Sequence, residues 1–229
     1  LKKNGFPEDL ISCISVPTME ATDALMKHQD VSLILATGGS AMVRAAYSSG
    51  TPALGVGPGN VPAFIEKTAD IKRAVSRIIA GKIFDNGVIC ASEQAVVVER
   101  EIYKEVKKEF INQGCYFVNE EEKLKMEKII DTPYGSLNAK IVGKTASQLA
   151  DMAKIEVPED TKIIIAEETG VGKGYPFSRE KLSPILAFYV EDDWKKGCDK
   201  CIELLDYGGM GHTLGIHSND KDIIMEFAL

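Results

Sequence analysis

Apolar residues recur along the chain with two periods in turn, and the alternation predicts strands and helices following one another. Residues 10–16 are apolar with β-branched members and read as a strand. Residues 20–28 read as a short helix with Thr18 as its N-cap. The run Val-Ser-Leu-Ile-Leu-Ala-Thr at 31–37 predicts a short buried strand, 40–48 a helix, and 52–56 another strand. That strand runs into Gly57-Pro58-Gly59-Asn60, a loop signal. Strand, helix, strand, helix, strand implies a parallel sheet with crossover helices, and so an α/β chain.

From Ala69 the period lengthens. Ile71, Ala74, Val75, Ile78 and Ile79 recur at helix spacing. Residues 95–98 are a β-branched strand. Residues 101–113 form a helix with Ile102, Val106 and Phe110 on one face, closed by Gly114 in the manner of a C-terminal glycine. Helices follow at 124–130 and 146–153, and strands at 162–166 and 185–190. Residues 192–205 read as an amphipathic helix with Trp194, Cys198, Cys201, Ile202 and Leu205 inward, and 213–217 as a last strand. There is no internal repeat.

The 229 residues suffice for one large domain or two smaller ones with a real core. Hydrophobic residues make up 45% and charged residues 27%, the balance of an ordinary soluble protein. The formal charge is −7 and no basic cluster stands out, so no nucleic-acid partner is expected. No apolar run approaches a membrane span, so no membrane partner is expected either. The cysteines are Cys13, Cys90, Cys115, Cys198 and Cys201, an odd and scattered set. Such a set suits free thiols in a reducing compartment, and cytoplasm is the expectation. The first residues resemble neither a signal nor a transit peptide. Because the chain starts without Met and stops inside a helical pattern at 224–229, it reads as a piece of a longer protein.

Four segments could carry chemistry. Cys90 lies in Phe84-Asp85-Asn86-Gly87-Val88-Ile89-Cys90-Ala91-Ser92-Glu93-Gln94, between a long helix and a strand. A thiol at such a junction can face a cleft, with backbone N–H groups to stabilise a thiolate or an oxyanion. The bland alternative, a small buried hydrophobe, is the commoner fate of a cysteine. Leu35-Ala36-Thr37-Gly38-Gly39-Ser40 is a strand-to-helix turn whose free N–H groups would suit a phosphate, though it lacks the GxGxxG spacing. Gly55-Val56-Gly57-Pro58-Gly59-Asn60 would admit a flat ring or a thioester close to the backbone, or serve as a linker. His212, one of three histidines with His28 and His217, sits among glycines and could act as an acid–base group or a structural one. Three further signals carry less. Cys198-x-x-Cys201 has no second half, so it is read as core, and no metal is expected. Gly170-Val171-Gly172-Lys173-Gly174 lacks the phosphate-loop spacing and reads as a flexible surface loop. Glu120-Glu121-Glu122 reads as a solvated helix start.

In this order, the segments Ala36-Thr37-Gly38-Gly39, 55–60, 84–94, Glu180-Lys181-Leu182-Ser183-Pro184 and Gly211-His212-Thr213 resemble the CoA-acylating aldehyde dehydrogenases, including the aldehyde dehydrogenase half of bifunctional aldehyde–alcohol dehydrogenases. The resemblance covers nearly the whole chain. It implies the aldehyde dehydrogenase fold: residues 1–58 as the C-terminal part of a Rossmann-like, dinucleotide-binding domain, and 59–229 as an α/β catalytic domain, truncated at its end. It implies Cys90 as nucleophile and His212 as an acid–base or orienting group. It implies Thr37, Gly38 and Gly39 beside the cofactor pyrophosphate, Gly57 near the nicotinamide, and Glu180 on a ribose hydroxyl. The cofactor would be NAD, with coenzyme A as co-substrate, an aldehyde and an acyl-CoA as small-molecule partners, and a homo-oligomer as the full-length assembly. Acetaldehyde with acetyl-CoA is the plain choice, with propionyl and sulfoacetyl partners open.

One departure bears on the reaction. Hydrolytic relatives carry a Glu-Leu-Gly-Gly-Lys segment whose Glu activates water. The matching stretch here, Gly55-Val56-Gly57-Pro58-Gly59, has no carboxylate. A thioester on Cys90 would then persist until another thiol attacked it. The competing expectations are a hydrolytic dehydrogenase using another base, a glutamate-5-semialdehyde reductase of the same fold, and an inactive fragment or structural paralogue.

Overall fold

Thr18 takes the N–H of Ala21 at 3.1 Å and opens the first helix, α1 (Met19–Met26). The computed structural model describes residues 1–229, in two compact units, Leu1–Pro58 and Gly59–Leu229. In the first unit β1 (Ile34–Thr37) runs into α2 (Ser40–Tyr47) and then β2 (Ala53–Val56). The two strands pair in parallel, with Ile34 opposite Ala53 and Thr37 opposite Val56. Met26, Ala36 and Ala46 form its small core. Thr51 ties β2 back to α1 by donating to the Met26 carbonyl at 2.7 Å.

The second unit begins with β3 (Val61–Ile65), α3 (Ile71–Ile83) and β4 (Glu93–Glu99). It continues through α4 (Tyr103–Asn112), β5 (Cys115–Phe117), α5 (Glu120–Ile130), α6 (Ala146–Ala153) and β6 (Ile163–Glu167). It closes with β7 (Ile185–Glu191), α7 (Trp194–Gly208), β8 (Gly215–His217) and α8 (Lys221–Phe227). The six strands form one sheet in the order β5-β6-β7-β4-β3-β8, every pair parallel.

Side chains that alternate along a strand point to opposite faces, and both faces are buried here. Phe64, Ala95, Val97, Ile164 and Tyr189 pack with Met126, Leu149, Leu204 and Phe227 of α5 to α8. Ala63, Ile65, Val96, Val98 and Ile165 pack with Val75, Ile78, Val106 and Phe110 of α3 and α4. Phe64 and Phe227 stack at 5.2 Å between ring centroids, which seats the last helix on the sheet. No helix is long and apolar enough to cross a membrane.

Several sequence expectations need correction. Residues 10–16 form no strand: no neighbour offers them a ladder, and Ile11 and Val16 are 75% and 70% exposed. β3 goes unread in the sequence because Pro62 removes a ladder donor. Its register with β4 shifts between Val61 and Pro62, so the irregularity is absorbed at the strand's start. β5, three residues at the sheet edge, is too short for a period to show. On α7 the buried positions are Gly197, Cys201 and Leu204, while Ile202 is 45% exposed. A β-carbon on Gly197 would lie 2.4 Å from the Phe64 ring, so this face is set by a glycine that an apolar count overlooks. The Gly170–Gly174 stretch is pinned: Tyr189 donates its hydroxyl to the Gly170 carbonyl, and Gly172 N–H donates to Ser178 Oγ, both at 3.0 Å.

Candidate active site

The candidate residues of the second unit lie in the segments that run into strands. Gly59 and Asn60 lead into β3, Cys90 into β4, Glu180 and Lys181 into β7, and His212 into β8. In the sheet these strands are contiguous, in the order β7-β4-β3-β8. Segments far apart in sequence are thereby brought to one edge, the amino edge.

Gly59 is where they meet. Its N–H donates to Glu180 Oε1 at 3.3 Å. A β-carbon on it would lie 2.7 Å from the Cys90 carbonyl oxygen and 3.1 Å from Cγ and Cδ2 of His212. Only a residue without a side chain lets the cysteine turn, the histidine ring and the glutamate converge this closely. Next to it, buried Asn60 donates from Nδ2 to the carbonyls of Ser178 and Leu204, each at 2.8 Å. That amide fastens α7 and the approach to β7 onto the start of β3.

Cys90 is half-buried, in a turn closed by Ser92 N–H donating to the Ile89 carbonyl at 2.9 Å. The backbone before it is unusual. Asp85, Asn86 and Gly87 all have positive φ, at 48°, 51° and 74°. Asn and Asp tolerate this region better than other side chains, and such strain persists only where the surroundings hold it. They do so here. Asn86 Nδ2 donates to the Gly143 carbonyl at 3.1 Å, and Gly143 N–H donates to the Leu182 carbonyl at 2.9 Å. Leu182 is itself left-handed, at φ 48°. The cysteine turn and the glutamate segment are thus braced through the loop at Gly143.

Behind them lies a buried charged network. Gln94 Oε1 accepts from Lys82 Nζ at 3.2 Å and from Lys181 N–H at 3.0 Å. Its Nε2 donates to the Ser92 carbonyl at 3.2 Å. Lys181 Nζ is fully used, donating to the carbonyls of Gln94, Phe177 and Arg179 at 3.0, 2.6 and 2.7 Å. Burial pushes the Lys82 ammonium down to about 7, against the pull of Glu93 and Glu180. Burial, reinforced by the neighbouring Lys82, holds Lys181 well below its ordinary value. Burial raises Glu180, while Gly59 N–H, His212, Lys82 and Lys181 oppose it. Glu93, against Gly81, is likewise raised by burial. His212 shares a 2.9 Å hydrogen bond between Nδ1 and Thr213 Oγ1.

The structure therefore brings together Cys90, Glu180 and His212. The other candidates belong to the first unit. Thr37 ends β1, Gly38 and Gly39 open α2, and Gly57 follows β2. Gly38 N–H donates to the Val56 carbonyl at 3.2 Å, which sets the helix-opening turn beside Gly57. The sequence gives no role to Asn60, Lys82, Gln94 or Lys181, although Asn60, Gln94 and Lys181 lie inside the segments singled out above. For Lys82 the signal is its place at the helix spacing set by Val75, Ile78 and Ile79.

Residues 1–175 match the profile of the Aldehyde dehydrogenase family. Aldehyde-alcohol dehydrogenase 2 of Entamoeba histolytica is 47% identical, over 98% of this chain and 27% of its own length. An acetylating aldehyde dehydrogenase from Geobacillus thermoglucosidasius superposes with a TM-score of 0.96 at 54% identity, covering 100% of this chain and 50% of that one. A propionaldehyde dehydrogenase from Rhodopseudomonas palustris, solved with bound CoA and an acylated cysteine, superposes with a TM-score of 0.85 at 31% identity. That match covers 93% of this chain and 48% of the other. The chain spans about a quarter of the length of the curated relative and about half that of the two structures.

Proposed function

The chain belongs to the aldehyde dehydrogenase family, and on that premise we propose that it carries the catalytic thiol of a CoA-acylating aldehyde dehydrogenase, with Cys90 as nucleophile. The observation that carries the reading is the convergence of the Cys90 turn, Glu180 and His212 on Gly59. An acylated cysteine with CoA in a relative of the same fold supports it. In this reading residues 59–229 are the catalytic domain and 1–58 the end of a dinucleotide-binding domain. Thr37, Gly38 and Gly39 hold the pyrophosphate and Gly57 borders the nicotinamide of NAD.

The residues present fit such a cofactor. Gly39, at the N-terminus of α2, has open space where a side chain would stand, so a phosphate can reach the backbone. Glu180 gives one oxygen to Gly59 N–H and keeps lone pairs for a ribose hydroxyl. The bound nicotinamide supplies the hydride acceptor.

The chain's own residues do the rest. The Cys90 thiolate adds to the aldehyde carbon to give a thiohemiacetal, which loses hydride and becomes a thioester on Sγ. With Nδ1 held by Thr213, His212 has Nε2 to take or return a proton at the reacting oxygen or thiol. Attack by the coenzyme A thiolate expels Cys90 as thiolate and releases acyl-CoA. Water is a poor competitor because the stretch Gly55-Val56-Gly57-Pro58-Gly59 offers no carboxylate to activate it. Cys90→Ala in the protein carrying this chain tests the proposal. It should abolish acyl-CoA-dependent NADH oxidation and acyl transfer to coenzyme A; retained turnover refutes it.

A further inference from the structure

Asn86 lies four residues before Cys90, and the reaction outlined above gives it no part. It is the middle of three consecutive left-handed residues, at φ 51° and ψ 33°, between Asp85 at φ 48° and Gly87 at φ 74°. A run of this kind does not hold itself; contacts outside it must fix its shape. Asp85 is exposed, and Gly87 has no room for a side chain, since a β-carbon there would lie 2.9 Å from the Ser183 carbonyl oxygen. Asn86 is the one that reaches out: half-buried, it donates from Nδ2 to the Gly143 carbonyl at 3.1 Å. A carbonyl only accepts, so the orientation of the amide is settled. The anchor is itself fixed. Gly143 follows buried Ile141, donates its N–H to the Leu182 carbonyl at 2.9 Å, and has Val88 Cγ2 3.3 Å from where its β-carbon would stand. The second tie on the turn is Ser92 Oγ, which donates to the Gly87 carbonyl at 3.2 Å. Cys90 lies between the two.

We propose that Asn86 is a positioning residue for Cys90, its amide holding the left-handed turn so that the thiol is aimed at the acyl carbon. The inference rests on the reading of Cys90 as the nucleophile. Without the amide the turn hangs from Ser92 alone, and the loss falls on the step that Cys90 performs. The tie from Gly143 to Leu182 stays intact, so the segment that carries Glu180 keeps its place.

The test reads that step alone, in the full protein, with acetyl-CoA as the probe and no NADH. The Cys90 thiolate attacks the acyl carbon, the CoA thiolate leaves, and the acetyl group stays on Sγ. Quenched samples are digested and the acetyl-Cys90 peptide is measured by mass spectrometry. Asn86→Gly removes the amide and keeps the backbone, because glycine takes positive φ freely. It should slow acetylation of Cys90 by about tenfold or more, with the KM for NADH little changed. Asn86→Asp keeps the shape and the tolerance of positive φ, and stands in if the glycine variant does not fold. Above neutral pH its carboxylate has no proton to donate and should show the same loss. As the pH falls toward about 5, a growing share of the side chain regains a donor, and its acetylation rate, as a fraction of the wild type's at the same pH, should recover. A variant whose only fault is a weakened fold shows no such recovery. A wild-type rate in Asn86→Gly, or an Asn86→Asp fraction that does not rise in acid, overturns the proposal while Cys90 stands as nucleophile. If the wild type itself leaves Cys90 unacetylated, the nucleophile reading fails and the proposal falls with it.

Discussion

Gly59→Ala is the sharpest test of the site geometry, because the added atom is small and its neighbours are known. The new β-carbon would lie 2.7 Å from the Cys90 carbonyl oxygen and 3.1 Å from the His212 ring, where ordinary contact begins at 3.4 Å. The cysteine turn must therefore retreat by about 0.7 Å and the ring by about 0.3 Å. Backbone strain does not contribute, since Gly59 is not among the positive-φ glycines. Overpacking of this kind costs about 1–3 kcal/mol. A stiffer unfolded chain returns roughly 0.4–1 kcal/mol of it. For a domain of about this size the remainder, up to about 2.6 kcal/mol, lowers the melting temperature by up to about 10 °C. The effect on turnover should be larger. A 1 Å misplacement of reacting groups can cost about a hundredfold, so a retreat of this size should lower kcat/KM roughly tenfold or more. The assays are calorimetry and acyl-CoA-dependent NADH oxidation, with Gly174→Ala, which meets nothing, as the control. If Gly59→Ala matches that control in both, Gly59 is not the meeting point of the site and the argument fails.

Two further substitutions follow from the same region and the opposite edge. Asn60→Ala removes the side-chain donor that ties the carbonyls of Ser178 and Leu204 together, and should cost about 1–3 kcal/mol by urea denaturation; no measurable loss would refute the clamp. Burial raises Glu99 above its ordinary 4.5, with Glu66 and Glu101 adding to the effect, so the folded protein holds that proton more tightly than the unfolded chain. Stability from this group is present below the ordinary value and is lost as pH rises through the raised one. Glu99→Gln should therefore raise the melting temperature at neutral pH and give no gain near pH 4; an equal gain at both would refute the assignment.

Much of the fold was legible because period reports burial. The helix at Ala146–Ala153 and the strand at Ile185–Glu191 are apolar runs whose spacing matches their environment. β3 was not legible, because a proline in a strand reads as an argument against one. On α7, Trp194, Cys198 and Cys201 do face the core, but Ile202 does not, and the face also includes Gly197, which has no side chain to count. For the site, Cys90, Glu180 and His212 could be named through resemblance, in linear order. That order carries no distances, and the residue that makes the three adjacent is a glycine in a loop.

The remainder is a matter of topology. Open parallel sheets usually bind ligands beyond the carboxyl ends of their strands. Here the cluster lies at the amino ends, and the strand order explains how it forms. After β4 the chain crosses to the far edge for β5, returns through β6, and sets β7 beside β4; it then crosses again to set β8 beside β3. Those two returns carry Glu180 and His212 back to Gly59 and Cys90, and nothing in local sequence periodicity records them. Gln94 fixes the geometry between them. It sits on β4, and its amide joins Lys82 at the end of α3, Ser92 of the cysteine turn and Lys181 next to Glu180. The thiol turn and the carboxylate are therefore held to the β4–β7 pairing rather than to flexible loops, which is the condition for holding reacting groups at catalytic distances.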